Sequence, residues 1–377
     1  MRRLSSVPIV MAVLLSSFSF APGVLAADGY PLSPSDAVVQ DARDYLASEQ
    51  DGTGMIGSAA GSQWACIAVG ALGEDPNDWS NGGPTLVQYI ESNPGISGNV
   101  TSALARIVLA AVAAGEDPSS FGTYTDAYVT VPGDYLGALL DRYDDGEGQF
   151  DEGSGDFTTI NEDMWAVRAL LAAGVSPNSD EVEGAVNFLM THKEADGGWS
   201  WGLPANAWYS PGSSPDDTGT AIVALVSAGV SPAAPEIVDG LDFLKTSQGP
   251  NGGFMSWGEE NVSSSSWGSD GIGAARRNPS GSAWQTNGLS PIDFIIDQQQ
   301  PDGSIPYYDG AAFPMAVENT SWAIVTLVGN HYDPAFVSSV GGLAEKPSPW
   351  GILLPWIAGA VVLSCVAVWR FRVHAVR

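Results

Sequence analysis

The chain has 377 residues, with 43 acidic side chains against 14 basic ones and a formal charge of −29. A surface so acidic excludes nucleic acid and anionic lipid as partners and favours solubility. Two cysteines, Cys66 and Cys365, exclude a disulfide framework, and the chain is long enough to bury a large core without one.

In chain order, the first element expected is an export signal over residues 1–26. Arg2 and Arg3 precede an apolar stretch from Val7 to Leu15, and small residues at Val24 and Ala26 suit cleavage before Ala27. Residues 27–340 then carry a repeat. Six segments share an aromatic or apolar pair, a residue four positions later that is polar in five of them and Pro94 in the second, and a glycine four beyond that: Tyr45-Leu46 to Gly54, Tyr89-Ile90 to Gly98, Leu139-Leu140 to Gly148, Phe188-Leu189 to Gly197, Phe243-Leu244 to Gly252 and Phe294-Ile295 to Gly303. These glycines fall 44 to 55 residues apart, a period that signals a repeat architecture. Each repeat holds one amphipathic helix and one written in small and apolar residues on nearly every face, such as Ser102 to Ala114 and Thr220 to Ala228. A helix apolar all round must be buried all round. One inner and one outer helix, six times over, predicts an all-α toroid of two concentric layers. An open solenoid would need polar capping repeats, and none is evident.

After the repeats, residues 341–349 read as a linker. Residues 350–369 are uncharged and flanked by Trp350, Trp356 and Trp369, as a transmembrane helix requires. The basic tail 370–377 belongs on the cytoplasmic side, which places the toroid outside the cell.

The blocks Phe188-Leu189, Lys193, Asp196-Gly197-Gly198-Trp199, and Phe243-Leu244, Gln248, Asn251-Gly252-Gly253-Phe254, resemble the QW repeats of squalene-hopene cyclases. The resemblance implies the α6–α6 toroid, which also serves protein prenyltransferase β subunits, complement-like thioester domains and cobalamin carriers. The stretch Trp284 to Phe294 resembles bacterial surface proteins with a transcobalamin-like toroid. One scaffold with unrelated activities does not settle function. Cys66, His192 and His331 lie in distant repeats without zinc-ligand spacing, and Cys66 lacks the flanking residues of a thioester.

The most catalytic-looking run is Ser214-Pro215-Asp216-Asp217-Thr218. It is similar to the Asp-x-Asp-Asp motif of class II terpene cyclases, whose middle aspartate protonates an alkene. The resemblance makes Asp216 the acid and Asp217 its partner, with Ser214 in place of the first aspartate. The same offset holds Asn161-Glu162-Asp163 in the third repeat and Glu318-Asn319-Thr320 in the sixth, so helix capping accounts for all three. The acidic loop 144–156 offers Asp144, Asp145, Glu147, Asp151 and Asp156 as a candidate calcium site, since hard cations take dense carboxylate oxygen.

Aligned inner helices place Trp64, Trp165, Trp267 and Trp322 at one level, a candidate stacking surface. Trp201, Trp208, Trp257 and Tyr307 sit in the loops after the glycines, where a scaffold carries function, and Arg276 belongs to the one basic doublet within residues 27–340, a candidate contact for an anionic ligand. The expectation is therefore an exported, membrane-tethered binding protein for an apolar, aromatic or corrinoid-like small ligand, cobalamin being implied by resemblance alone. The alternatives are a terpene-cyclase-like enzyme acting through Asp216, and a structural or adhesive surface protein with other surface proteins as partners.

Overall fold

The computed structural model describes residues 29–97, 100–150, 159–203, 212–308 and 315–330. The expected export signal, linker, transmembrane helix and basic tail lie outside these residues, as do Trp208, Asp151 and Asp156. Among the described residues no helix is long and apolar enough to cross a membrane.

Among the described residues the outer helices are α1 (Ala37–Ser48), α3 (Leu86–Ser92), α5 (Tyr135–Leu140), α7 (Asp180–Thr191), α9 (Pro235–Thr246) and α11 (Pro291–Asp297). The inner ones are α2 (Ala59–Ala71), α4 (Val100–Ala113), α6 (Asn161–Ala172), α8 (Pro215–Ser227), α10 (Val262–Ala274) and α12 (Ala316–Leu327). Each inner helix packs against the next, and α12 packs against α2, so the ring closes. The small residues of the inner helices allow this: a Cβ on Gly219 of α8 would lie 2.0 Å from the Trp267 carbonyl oxygen of α10, so the two backbones touch.

The repeat residues act at the joints. Gln50, Gln248 and Gln299 each donate from Nε2 to two carbonyls, one in their own glycine turn and one in the neighbouring repeat. For Gln299 that second acceptor is Val38 of α1, at 2.8 Å, which ties the last repeat to the first. Leu32 N–H adds a bond to the Leu327 carbonyl at 2.8 Å across the same seam. Gly303 stands at φ +89°, and a Cβ there would meet the Asp41 carbonyl oxygen at 2.1 Å, so two independent constraints require glycine.

In five of the repeats the residue two after the glycine is buried and apolar, and its backbone N–H is satisfied by the inner helix that follows. Ile56 donates to Ser62 Oγ, Phe150 to Asp163 Oδ1, Trp199 to Thr218 Oγ1, Phe254 to Ser265 Oγ and Ile305 to Thr320 Oγ1, at 2.9 to 3.0 Å. These five acceptors are equivalent positions, and a buried N–H without one is costly. Two hairpins that helical periodicity did not announce grow from these turns: β1 (Tyr143–Asp144) with β2 (Gln149–Phe150), and β3 (Phe254–Ser256) with β4 (Glu259–Asn261).

Candidate functional site

The inner helices bring the four aligned tryptophans together as a closed pinwheel. Trp64 meets Trp165 at 5.3 Å between centroids, Trp165 meets Trp267 at 5.3 Å, Trp267 meets Trp322 at 4.9 Å and Trp322 meets Trp64 at 5.6 Å. All four contacts are edge-to-face, with interplanar angles of 67 to 84°, the arrangement that ring quadrupoles favour. Trp64, Trp165 and Trp322 are 6 to 7% exposed. They are a plug across the ring, which corrects the expectation of an open stacking surface; Trp267 alone of the four borders the pocket. Arg168 stands over Trp165 at 4.4 Å, and Arg106 over Trp64 at 6.0 Å. Burial lowers the Arg106 guanidinium to about 10. Sequence reading passed over both arginines, although an arginine inside a run of small and apolar residues was the available signal.

Beside the plug, above the N-termini of α6, α8 and α10, lies a pocket of about 490 Å³. Trp201, Trp257, Trp267 and Met255 form its apolar walls, and Asn161, Ser213, Ser214, Asp216 and Asp217 its polar side. The Ser214 hydroxyl caps α8 by accepting the Asp217 N–H at 3.0 Å, and donates to Asp217 Oδ2 at 2.6 Å. Asn161 Nδ2 approaches Asp217 Oδ1 at 3.4 Å. Burial pushes the Asp217 carboxyl up to about 7, the Ser214 hydroxyl pulls it back, and the Asp216 carboxylate adds to the rise.

Asp216 is different. Its Oδ1 is enclosed by protein beside the Ser264 hydroxyl, while the side chain opens on the pocket. Burial pushes this carboxyl up to about 6, with the neighbouring Ser264 hydroxyl pulling the other way. The cap of this helix is Ser214 and the repeated acceptor position is Thr218, while Asp216 lies in the first turn, where a carboxylate suits the helix dipole. Asn161 caps nothing. Its side chain accepts from Ser102 Oγ at 3.3 Å and reaches Asp217, while no side chain caps α6.

Tyr307 lies nearby, its phenol raised by burial and then by the Asp216 carboxylate and Tyr308. Arg276 lies at the far end of α10 from the pocket, exposed, as the left-handed residue (φ 58°) that ends the helix. In the acidic loop, Asp144 Oδ1 accepts the N–H groups of Gly146 at 2.7 Å and Glu147 at 3.1 Å, and Glu147 accepts from Gln149. Among the described residues no three acidic, histidine or cysteine side chains group as metal ligands would.

Residues 154–272 match the squalene-hopene cyclase C-terminal domain family. Every residue lining the pocket falls within that segment. Among solved structures, the type II terpene cyclase MstE from Scytonema superposes with a TM-score of 0.53 at 13% identity, covering 77% of this chain and 96% of that one. A variant of MstE in complex with its substrate, geranylgeranyl dihydroxybenzoate, gives a TM-score of 0.52 at 12% identity, covering 79% and 97%. This chain has the α–α toroid fold of the terpenoid cyclase superfamily. No curated protein matches the toroid by sequence.

These matches overturn the expectation of a binding protein for an apolar, aromatic or corrinoid-like ligand. The segment that forms the pocket is the one that matches a cyclase domain, and its polar side holds the Asp216 carboxyl, raised by burial. The transcobalamin-like stretch from Trp284 to Phe294 lies outside both the match and the pocket. It builds the joint to α11, where Trp284 accepts from Gln248.

Proposed function

We propose that this toroid is a class II terpene-cyclase-like enzyme in which Asp216 protonates an alkene of a linear isoprenoid. One observation carries the reading: the enclosed Asp216 carboxyl stands on the wall of an aromatic pocket. A carboxyl raised to about 6 keeps a usable protonated fraction near neutral pH. In the step proposed, the carboxyl O–H bond breaks and leaves its pair on Asp216, and the alkene π pair forms the new C–H bond. The cation left on the adjacent carbon is attacked by the next π bond, and loss of a proton ends the sequence. The faces of Trp201 and Trp267 stabilise such cations electrostatically, and the apolar walls keep water from quenching them. Asp217, tied to Ser214 and Asn161, is a positioning residue whose hydrogen bonds hold the N-terminus of α8 and with it Asp216.

Incubation of the purified protein with geranylgeraniol and squalene, followed by mass spectrometry of the products, tests the reading. Cyclised isomers that disappear with Asp216→Asn support it, and unchanged conversion by that variant removes it. The expected export signal (1–26) and span (350–369) put this activity at the outer face of a membrane, where an apolar substrate partitions. Protease digestion of the toroid in intact cells checks that location.

A further inference from the structure

The β3–β4 hairpin ends in a two-residue turn, Trp257-Gly258, closed by the pair Ser256 and Glu259. Trp257 stands at φ 55° and Gly258 at φ 89°, the type I′ turn that matches strand twist. Both positions are left-handed, which suits Asn-Gly and disfavours a bulky side chain. The same chain contains the favoured version: Asn287 at φ 53° and Gly288 at φ 84° turn between Thr286 and Leu289. Trp257 thus occupies a position where asparagine fits better, and it gains little in return from packing, being 87% exposed. Met255, on the same face of the strand, is 40% exposed, and both side chains line the pocket that holds Asp216.

The hairpin root is held firmly, so the tip is presented rather than loose. Phe254 N–H donates to Ser265 Oγ at 3.0 Å, Met255 N–H to the Ser247 carbonyl at 2.9 Å, and Glu260 accepts from the Asn251 backbone and side chain at 2.9 and 2.7 Å. We propose that Trp257 is a substrate-contacting residue whose indole covers the isoprenoid chain at the open side of the pocket and shields the developing cation from water. The proposal rests on the cyclase reading. It adds a residue that the fold does not need and that the bound chain does.

Asp216→Asn tests the cyclase reading alone, by turnover. Trp257→Asn and Trp257→Phe test this proposal by three other readouts: the unfolding midpoint, the Kd for protonated farnesylamine as a cationic C15 probe, and the ratio of hydroxylated to hydrocarbon products. Trp257→Asn is expected to unfold at the same or a higher temperature than the parent, to bind farnesylamine about tenfold more weakly, and to shift products toward water-quenched alcohols. Trp257→Phe is expected to keep most of the affinity. A lowered unfolding midpoint for Trp257→Asn makes the indole structural and overturns the proposal. Unchanged probe affinity in that variant, or no binding of the probe by the parent protein, overturns it as well, whatever Asp216→Asn does to turnover.

Discussion

Thr218 Oγ1 accepts the Trp199 backbone N–H at 2.9 Å, the third of five equivalent bonds that join a glycine turn to the inner helix behind it. Because Thr218 fills that role, and Ser214 caps the helix, the Asp216 carboxyl between them is left to face the pocket.

The bond itself is testable. Thr218→Val keeps the shape and removes the acceptor, leaving a buried N–H unpaired, and is expected to destabilise the fold by about 1–3 kcal/mol. Thr320→Val, which orphans the Ile305 N–H, should cost a similar amount. Urea unfolding of both variants checks the equivalence of the two positions.

Asp216→Asn should separate activity from stability. Loss of a general acid is expected to lower turnover by about 10²–10⁴-fold. Stability should move the opposite way. The folded carboxyl is raised from 3.8 to about 6, so its favourable contribution is complete below the unfolded pKa and is lost as pH rises through about 6. At pH 8 the parent bears the full penalty of a buried carboxylate and the amide does not. The variant is expected to be more stable there by on the order of 2–3 kcal/mol and to lose that advantage toward pH 4. Thermal unfolding at the two pH values measures the difference.

The same shifts set a pH profile for the reaction. Asp216 must be protonated to act, and it and Asp217 are raised to about 6 and about 7. Turnover should therefore fall as pH rises through the window between those values, as a property of the pair. A profile of kcat/KM against pH that is flat between 5 and 8 would contradict Asp216 as the acid.

The tryptophans should divide into two classes. Trp64 touches Trp165 and Trp322 within the plug and does not line the pocket, so Trp64→Ala is expected to cost about 3–5 kcal/mol of stability through the cavity it leaves. Trp201 lines the pocket, so Trp201→Ala should depress turnover more than it lowers the unfolding midpoint. Parallel calorimetry and product assays of the two variants test the division.

The ring was legible in the sequence because its determinants are local and recur. The glycine turns and the apolar inner helices recur every 44 to 55 residues, and six such units without caps imply closure. The sequence also located the run Ser214 to Thr218 and the aligned tryptophans. What it could not decide was which member of each repeated set does structural work. Asn161-Glu162-Asp163 and Asp216-Asp217-Thr218 look alike along the chain, and capping seemed to explain both. Only packing assigns Asp163 and Thr218 to backbone N–H groups while Asp216 opens on a pocket, because a turn of helix points neighbouring side chains in different directions. The pinwheel was decided in the same way, since four indoles on four helices meet only once the ring has closed. The turn at Trp257 needed the strand register of β3 and β4, which no helical periodicity carries. Repetition along the chain determined the architecture, and the directions in which individual side chains point across it decided where chemistry can occur.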